Sequence, residues 1–192
     1  IEKYWPMYLR GAGITLYISV IGTLFGFIIG LIVGVIRTIP VPERGIRKYL
    51  LKVINAILAV YIEVFRGTPM IVQAMVIYYG SAMAFGIDIN RLVAGIFIVS
   101  INTGAYMSEI VRGGIISIDK GQYEGAKVLG FTYWQTMWRI ILPQTVRRVL
   151  PPVSNEAITL VKDTALVYAI GLGELLRATK IAVSRDAVTS PF

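Results

Sequence analysis

The chain has 192 residues, is 56% hydrophobic, and carries 19 Lys or Arg against 11 Asp or Glu, a formal net charge of +8. A mean hydropathy of +0.69 without a long polar tract fits a polytopic membrane protein rather than a soluble domain, and basic residues gathered in blocks between apolar segments read as cytoplasmic loops, not as a nucleic-acid surface. With no Cys and no His there is no thiolate or imidazole for a metal site, a Cys nucleophile or a His general base, which removes most enzyme classes.

The first element is the uncharged run Ile14 to Ile36, which reaches roughly 34 Å at about 1.5 Å per residue, enough to cross a hydrocarbon core. It ends in Arg37 and a proline turn rather than a small-residue cleavage site, so it reads as a span and not as a signal peptide. Gly22, Gly26, Gly30 and Gly34 recur every fourth residue and form one smooth ridge for a packed helix, either within the subunit or across an oligomer interface. The next loop holds Arg37, Arg44, Arg47, Lys48 and Lys52 against Glu43 alone, which places it in the cytoplasm and the N-terminus outside.

The apolar stretch Val53 to Ile87 is interrupted at "EVFRGTP", where Gly67 and Pro69 disfavour continuous helix; it reads as an interfacial or broken helix followed by the second span. No Lys or Arg lies between Gly67 and Asn90, so the turn at "FGIDIN" belongs outside. The third span runs from about Leu92 to Ile110. Arg112, Lys120, Lys127, Arg139, Arg147 and Arg148 make the following segment cytoplasmic. A fourth span, about Leu150 to Val161, enters through Pro151 and Pro152, and Thr164 to Phe192 reads as a short helix pair near the outer face. Beginning without Met and stopping at "SPF", the sequence reads as a portion of a longer gene product.

The stretch "YEGAKVLGFTYWQTMWRIILPQ" carries Glu124, Gly125 and Ala126, then Gly130, then Leu142 and Pro143. It resembles the EAA loop of ABC-transporter permease subunits, with Gly125 in place of the middle alanine. "EVFRGTPMIVQ", "GAYMSEIVRGGIISIDKGQ" and "LPQTVRRVLPPVSNEAITLVKDTAL" are similar to the polar amino-acid branch of that superfamily, the histidine, arginine and glutamine type. The resemblance implies an all-α polytopic membrane protein of the type I importer permease fold, one transmembrane domain over residues 1–192, with a coupling loop at about 117–143. It implies five spans, four of them visible and the fifth beyond Phe192. It further implies a prokaryotic plasma-membrane location, two ATPase subunits that bind ATP and Mg, a second permease subunit of the same or a sibling chain, surrounding membrane lipid, and an external substrate-binding protein.

Independently of the family, Glu124 to Gly130 and Tyr133 to Ile140 can form two short amphipathic helices joined at "GFT", with Trp134 and Trp138 at i, i+4 spacing. Such a pair serves as a coupling handle or lies on the membrane surface. The chain has no G-x-x-x-x-G-K-[ST], so ATP phosphates must be cradled by another polypeptide.

An intramembrane carboxylate is costly unless paired or facing a polar cavity. Glu63 has Arg66, and Glu109 has Arg112, three residues on and within helical reach. Glu156 and Asp163 lack such partners and would lie within roughly 20° of one face of a regular helix; alternatively, Asp163 caps the following segment. Ser154 and Asn155 are strong N-cap residues after a proline pair, so a helix starting there would offer free N–H groups to a substrate carboxylate. Candidate substrate contacts are therefore Glu156, Asp163, Asn155, Ser154, Gly67, Thr68 and Glu109, with no metal or cofactor in the chain. Two acids favour a basic amino acid: arginine, lysine or histidine. The alternatives are a glutamine- or glutamate-type importer and an ion-coupled secondary carrier; an intramembrane aspartyl protease is excluded by the lack of two acids facing each other across helices.

Overall fold

The structure is a computed structural model that describes residues 5–87, 89–171, 179–181 and 184. Among these residues every regular element is helical: α1 (Trp5–Ile36), α2 (Ile46–Gly67), α3 (Met70–Phe85), α4 (Arg91–Ile116), α5 (Lys120–Val128), α6 (Tyr133–Thr136), a π-helical turn (Met137–Ile141), α7 (Leu142–Asp163) and a 3-10 helix (Thr164–Ile170). α1 starts earlier than the uncharged run, because a single Arg10 does not interrupt a helix whose Pro6 sits in the first turn, where no intrahelical N–H bond is needed. α1 and α4 are long and apolar enough to cross a membrane, and α3 is apolar but shorter, with 16 residues and about 24 Å of length.

α4 is the central helix, and α1 packs along it. An ideal Cβ built on Gly22, Gly26, Gly30 or Gly34 would fall 2.4 to 2.8 Å from Val99, Thr103, Met107 or Val111 respectively. Both rows advance by four residues, so a ridge without side chains meets a ridge that has them, and the two helices close to near backbone contact. The glycine ridge thus serves packing within the subunit. Gly104 of α4 receives Ile29 of α1 and the Tyr61 hydroxyl of α2, and Gly114 receives Val149 of α7. The core follows α4: one cluster surrounds Ile98 and Val99, and a second surrounds Val111, Ile115 and Ile141.

Two expectations are corrected. Pro151 and Pro152 do not open a new span; they lie inside α7, and helical backbone continues from Tyr133 to Asp163. Each proline removes one helical hydrogen bond, but Val149 before the pair and Leu160 after it are both buried, and packing holds the helix through the defect. Consequently the second coupling helix does not stop near Ile140. It widens into the π turn, where Pro143 has no N–H to offer the Arg139 carbonyl and its ring would press on that carbonyl. Most of the expected helix pair at the C-terminal end lies outside the described residues; of it, Thr164–Ile170 is the 3-10 helix.

Adding one methyl group at Gly30 should be costly and at Gly13 harmless, since nothing lies within 4 Å of a Cβ there. Gly30→Ala is expected to lose about 1–3 kcal/mol by overpacking, and Gly13→Ala to be neutral or slightly stabilising. Thermal unfolding of the two variants in detergent checks the difference.

Candidate functional site

The loop between α4 and α7 is built from two caps. Asp119 accepts a hydrogen bond from the Gly121 N–H and starts α5. At its end, Phe131 N–H bonds to the Ala126 carbonyl and Gly130 N–H to the Lys127 carbonyl, with Gly130 at φ 77°: a Schellman turn, in which the left-handed residue is glycine because a Cβ would be strained. Thr132 and Gln135 then form a reciprocal capping box that starts α6. Ala126 and Leu142 are buried, whereas Glu124, Gly125 and Pro143 are exposed. Tyr123 and Tyr133 pack against the core around Ile115 and Ile141, so this loop is not merely laid on the surface, and their burial pushes both phenols above their ordinary value. Val128 and Leu129 are nonetheless 87% and 73% exposed, and Trp134 and Trp138 are exposed beside them.

Two polar ties join the loop to α7. Arg148 donates to the Ser117 carbonyl and, at 3.1 Å, to its hydroxyl, and Gln144 donates to the Gln122 side chain at 3.1 Å. The first tie fastens α7 to the end of α4, and the second fastens it to α5.

On α7, Leu142, Val149, Glu156 and Asp163 recur every seventh residue and share one face. The first two are buried, and Val149 packs on Gly114 of α4; the last two are half-buried carboxylates. The stripe that seats α7 on α4 thus changes from apolar to acidic across the proline pair. Neither acid has an ion pair within 4 Å or a hydrogen-bond partner among the described residues. The charges of Asp163 and of Arg66 both act on Glu156, and Lys162 acts on Asp163. Arg66, near the end of α2, lies over the Tyr106 ring of α4, 5.4 Å from its centroid. Arg66 and Tyr106 are thus in contact and the Arg66 charge reaches Glu156 of α7, while Asp163 lies about 10 Å farther along that helix.

The break between α2 and α3 adjoins Arg66. Pro69 leaves carbonyls without helical partners, and Gln73 donates to the Phe65 carbonyl at 2.9 Å, the Thr68 carbonyl at 2.9 Å and the Thr68 hydroxyl at 2.8 Å. Asn102 of α4 donates to the Phe65 carbonyl and to the Gln73 oxygen, at 3.2 and 2.8 Å. Gln73 and Asn102 are both buried. Sequence reading passed over them, although a lone amide inside an apolar helix is the signal that could have flagged each.

Other candidates fall elsewhere. Ser154 does not cap a helix: its hydroxyl donates to the Leu150 carbonyl at 2.9 Å, and it and Asn155 are exposed within α7, so no free helix start exists there. Gly67 is exposed, and Thr68 is bound into the Gln73 network. Glu109 bonds to Arg112 at 2.9 Å and also to Arg37 of the loop after α1, which neutralises its charge without a substrate. The expected Glu63–Arg66 pair is not among the ion pairs of the described residues, Arg66 having turned onto Tyr106.

The model of the family described as "Binding-protein-dependent transport system inner membrane component" matches residues 22–191. The glutamine transport system permease protein of Escherichia coli strain K12 is 42% identical over 173 residues, 90% of this chain and 74% of that protein. The arginine transport system permease protein of Bacillus subtilis strain 168 is 38% identical over 172 residues, 90% of this chain and 74% of that one. A crystal structure of an amino acid ABC transporter with histidines superposes with a TM-score of 0.81 at 34% identity, covering 98% of this chain and 83% of that chain.

Removing the Gln73 amide leaves the Phe65 and Thr68 carbonyls short of donors in a largely buried junction. Gln73→Leu should therefore cost about 1–3 kcal/mol, and Thr68→Val much less because the Thr68 carbonyl keeps its donor. Unfolding midpoints of the two purified variants measure this.

Proposed function

Because the chain belongs to the family of binding-protein-dependent transport system inner membrane components, we propose that it forms the translocation path of an ATP-driven importer whose substrates are polar, chiefly basic, amino acids. Two features support this reading: Glu156 and Asp163 stand on one face of α7, and the Arg66 charge at the end of α2 reaches Glu156. An amino acid presents a carboxylate and an ammonium, and these residues present the complement of both. The Arg66 guanidinium, planar and always charged, takes the α-carboxylate in a bidentate pair; Glu156 takes the α-ammonium. Asp163 lies about 10 Å farther along the helix axis, a distance suited to the cationic end of an arginine or lysine side chain.

The coupling half of the proposal rests on the loop at 117–143. Its exposed Val128, Leu129, Trp134 and Trp138 form an apolar surface next to Glu124, suited to seat in a cleft of a cytoplasmic ATPase. Two such subunits, holding ATP and Mg, would move α5 of this chain and of a second permease chain. The Arg148 and Gln144 ties then tilt α7 as a lever, carrying the acids from outward to inward access, with an external binding protein delivering the substrate.

With the permease assembled on its ATPase, ligand at about 100 times its dissociation constant should add roughly 2.7 kcal/mol of stability. Arginine and lysine are expected to raise the unfolding midpoint of the native complex, and Arg66→Gln and Glu156→Gln to abolish the rise for every amino acid. Asp163→Asn should abolish it for the basic ones only. An equal response to glutamine and arginine that Asp163→Asn leaves unchanged would contradict a basic substrate, and no response to any amino acid would remove the site itself.

A further inference from the structure

α2 presents an outward face that no other described element covers. Ile46, Tyr49, Val53, Ile57, Val60 and Val64 are exposed, Ile46 by 85%. At 100° per residue they fall in one stripe along the whole helix, and the one fully buried side chain, Ile62, lies about half a turn away. That opposite side is fastened to α4, where the Tyr61 hydroxyl donates to the Ile101 carbonyl at 2.6 Å.

At the start of the stripe stand Arg44, Arg47, Lys48 and Lys52. Arg37 of the same loop is held by Glu109, but Arg44, Arg47 and Lys52 are exposed and have no ion pair among the described residues. Lys48 reaches only a backbone carbonyl, that of Glu43 at 3.1 Å, and Glu43 is the one acid between Arg37 and Lys52. On the helix, Arg47 and Lys52 lie about 120° and 100° from the middle of the stripe, one to each side, and their long side chains can curl back toward its end.

We infer that the outward face of α2 and the basic residues at its start form a docking surface for anionic phospholipid of the cytoplasmic leaflet, acyl chains along Val53 to Val64 and headgroups on Arg44, Arg47 and Lys52. Apolar side chains graded into unpaired basic ones match a lipid of that charge in both parts. A second copy of the chain fits poorly. Two copies inserted with the same orientation and paired along α2 would bring their basic ends side by side, and like charges across an interface are repulsive. The inference is independent of the substrate site, since it concerns the opposite end and the outer side of α2.

The permease–ATPase complex, reconstituted in phosphatidylcholine nanodiscs containing about a quarter phosphatidylglycerol and then released, can be weighed by native mass spectrometry. The native complex should retain phosphatidylglycerol over phosphatidylcholine by roughly tenfold, an enrichment that falls as salt is raised. The triple variant Arg44→Gln, Arg47→Gln, Lys52→Gln should lose it, while Arg44→Lys, Arg47→Lys, which preserves charge, should keep it. Equal retention of the two lipids by the native complex, or undiminished preference in the triple variant, would overturn the inference. So would loss of the second permease or of the ATPase from the triple variant, which would show a protein occupant.

Discussion

The close approach of α1 to α4 is the constraint on which the other contacts depend. Four glycines in register with Val99, Thr103, Met107 and Val111 bring two long helices to near backbone contact, and in an apolar solvent such packing, not hydrophobic exclusion, is what holds helices together. With α1 fixed along one side, α4 offers its remaining sides to α2, α3 and α7. Asn102 meets the α2–α3 break, Tyr106 lies under Arg66, Glu109 ties the loop after α1, and Gly114 admits Val149. These are successive turns of one helix, so the spatial order of the site and its supports is written into a single element.

In the proposed transport cycle, α7 works as a lever on that frame. Its stripe is apolar where it is seated on α4 and acidic beyond the proline pair, and its backbone bonding is weakened at two places, the π turn before Leu142 and the prolines at 151 and 152. Between them lie the residues tied to the coupling loop, Gln144 and Arg148. A rigid segment bounded by two weakened ones is a simple way to turn a push on α5 into a change of angle at Glu156 and Asp163.

Much of this frame was legible in the sequence, and the failures share a cause. The glycine ridge, the break at Gly67 to Pro69 and the capped turn between α5 and α6 announce themselves through spacing or local backbone chemistry. Gly130 is a clear case: its place in the motif has a physical reason, the left-handed turn after α5. The prolines misled because a local penalty of about 3 kcal/mol was set against a tertiary gain that no sequence displays, the burial of Val149 and Leu160 on either side. Arg66 misled likewise, its neighbour in sequence being Glu63 while its neighbour in space is Tyr106. Amides such as Gln73 and Asn102 could be noticed singly, but only the fold shows that both donate to the Phe65 carbonyl and that Asn102 also donates to Gln73.

The central claim is that the acidic face of α7 lines a substrate path. The chain has no cysteine, so a single introduced thiol reports its own surroundings. Thr159 is exposed and lies about 60° around the helix from Glu156, whereas Ile158 faces an apolar groove against α1 lined by Leu16, Val20 and Leu24. The decisive measurement is the rate at which a membrane-impermeant thiol reagent modifies Thr159→Cys and Ile158→Cys in the reconstituted complex, with and without arginine. Rapid modification of Thr159→Cys that arginine slows, beside an inert Ile158→Cys, is the result the account predicts. An unreactive Thr159→Cys, or one whose rate arginine leaves unchanged, would contradict it.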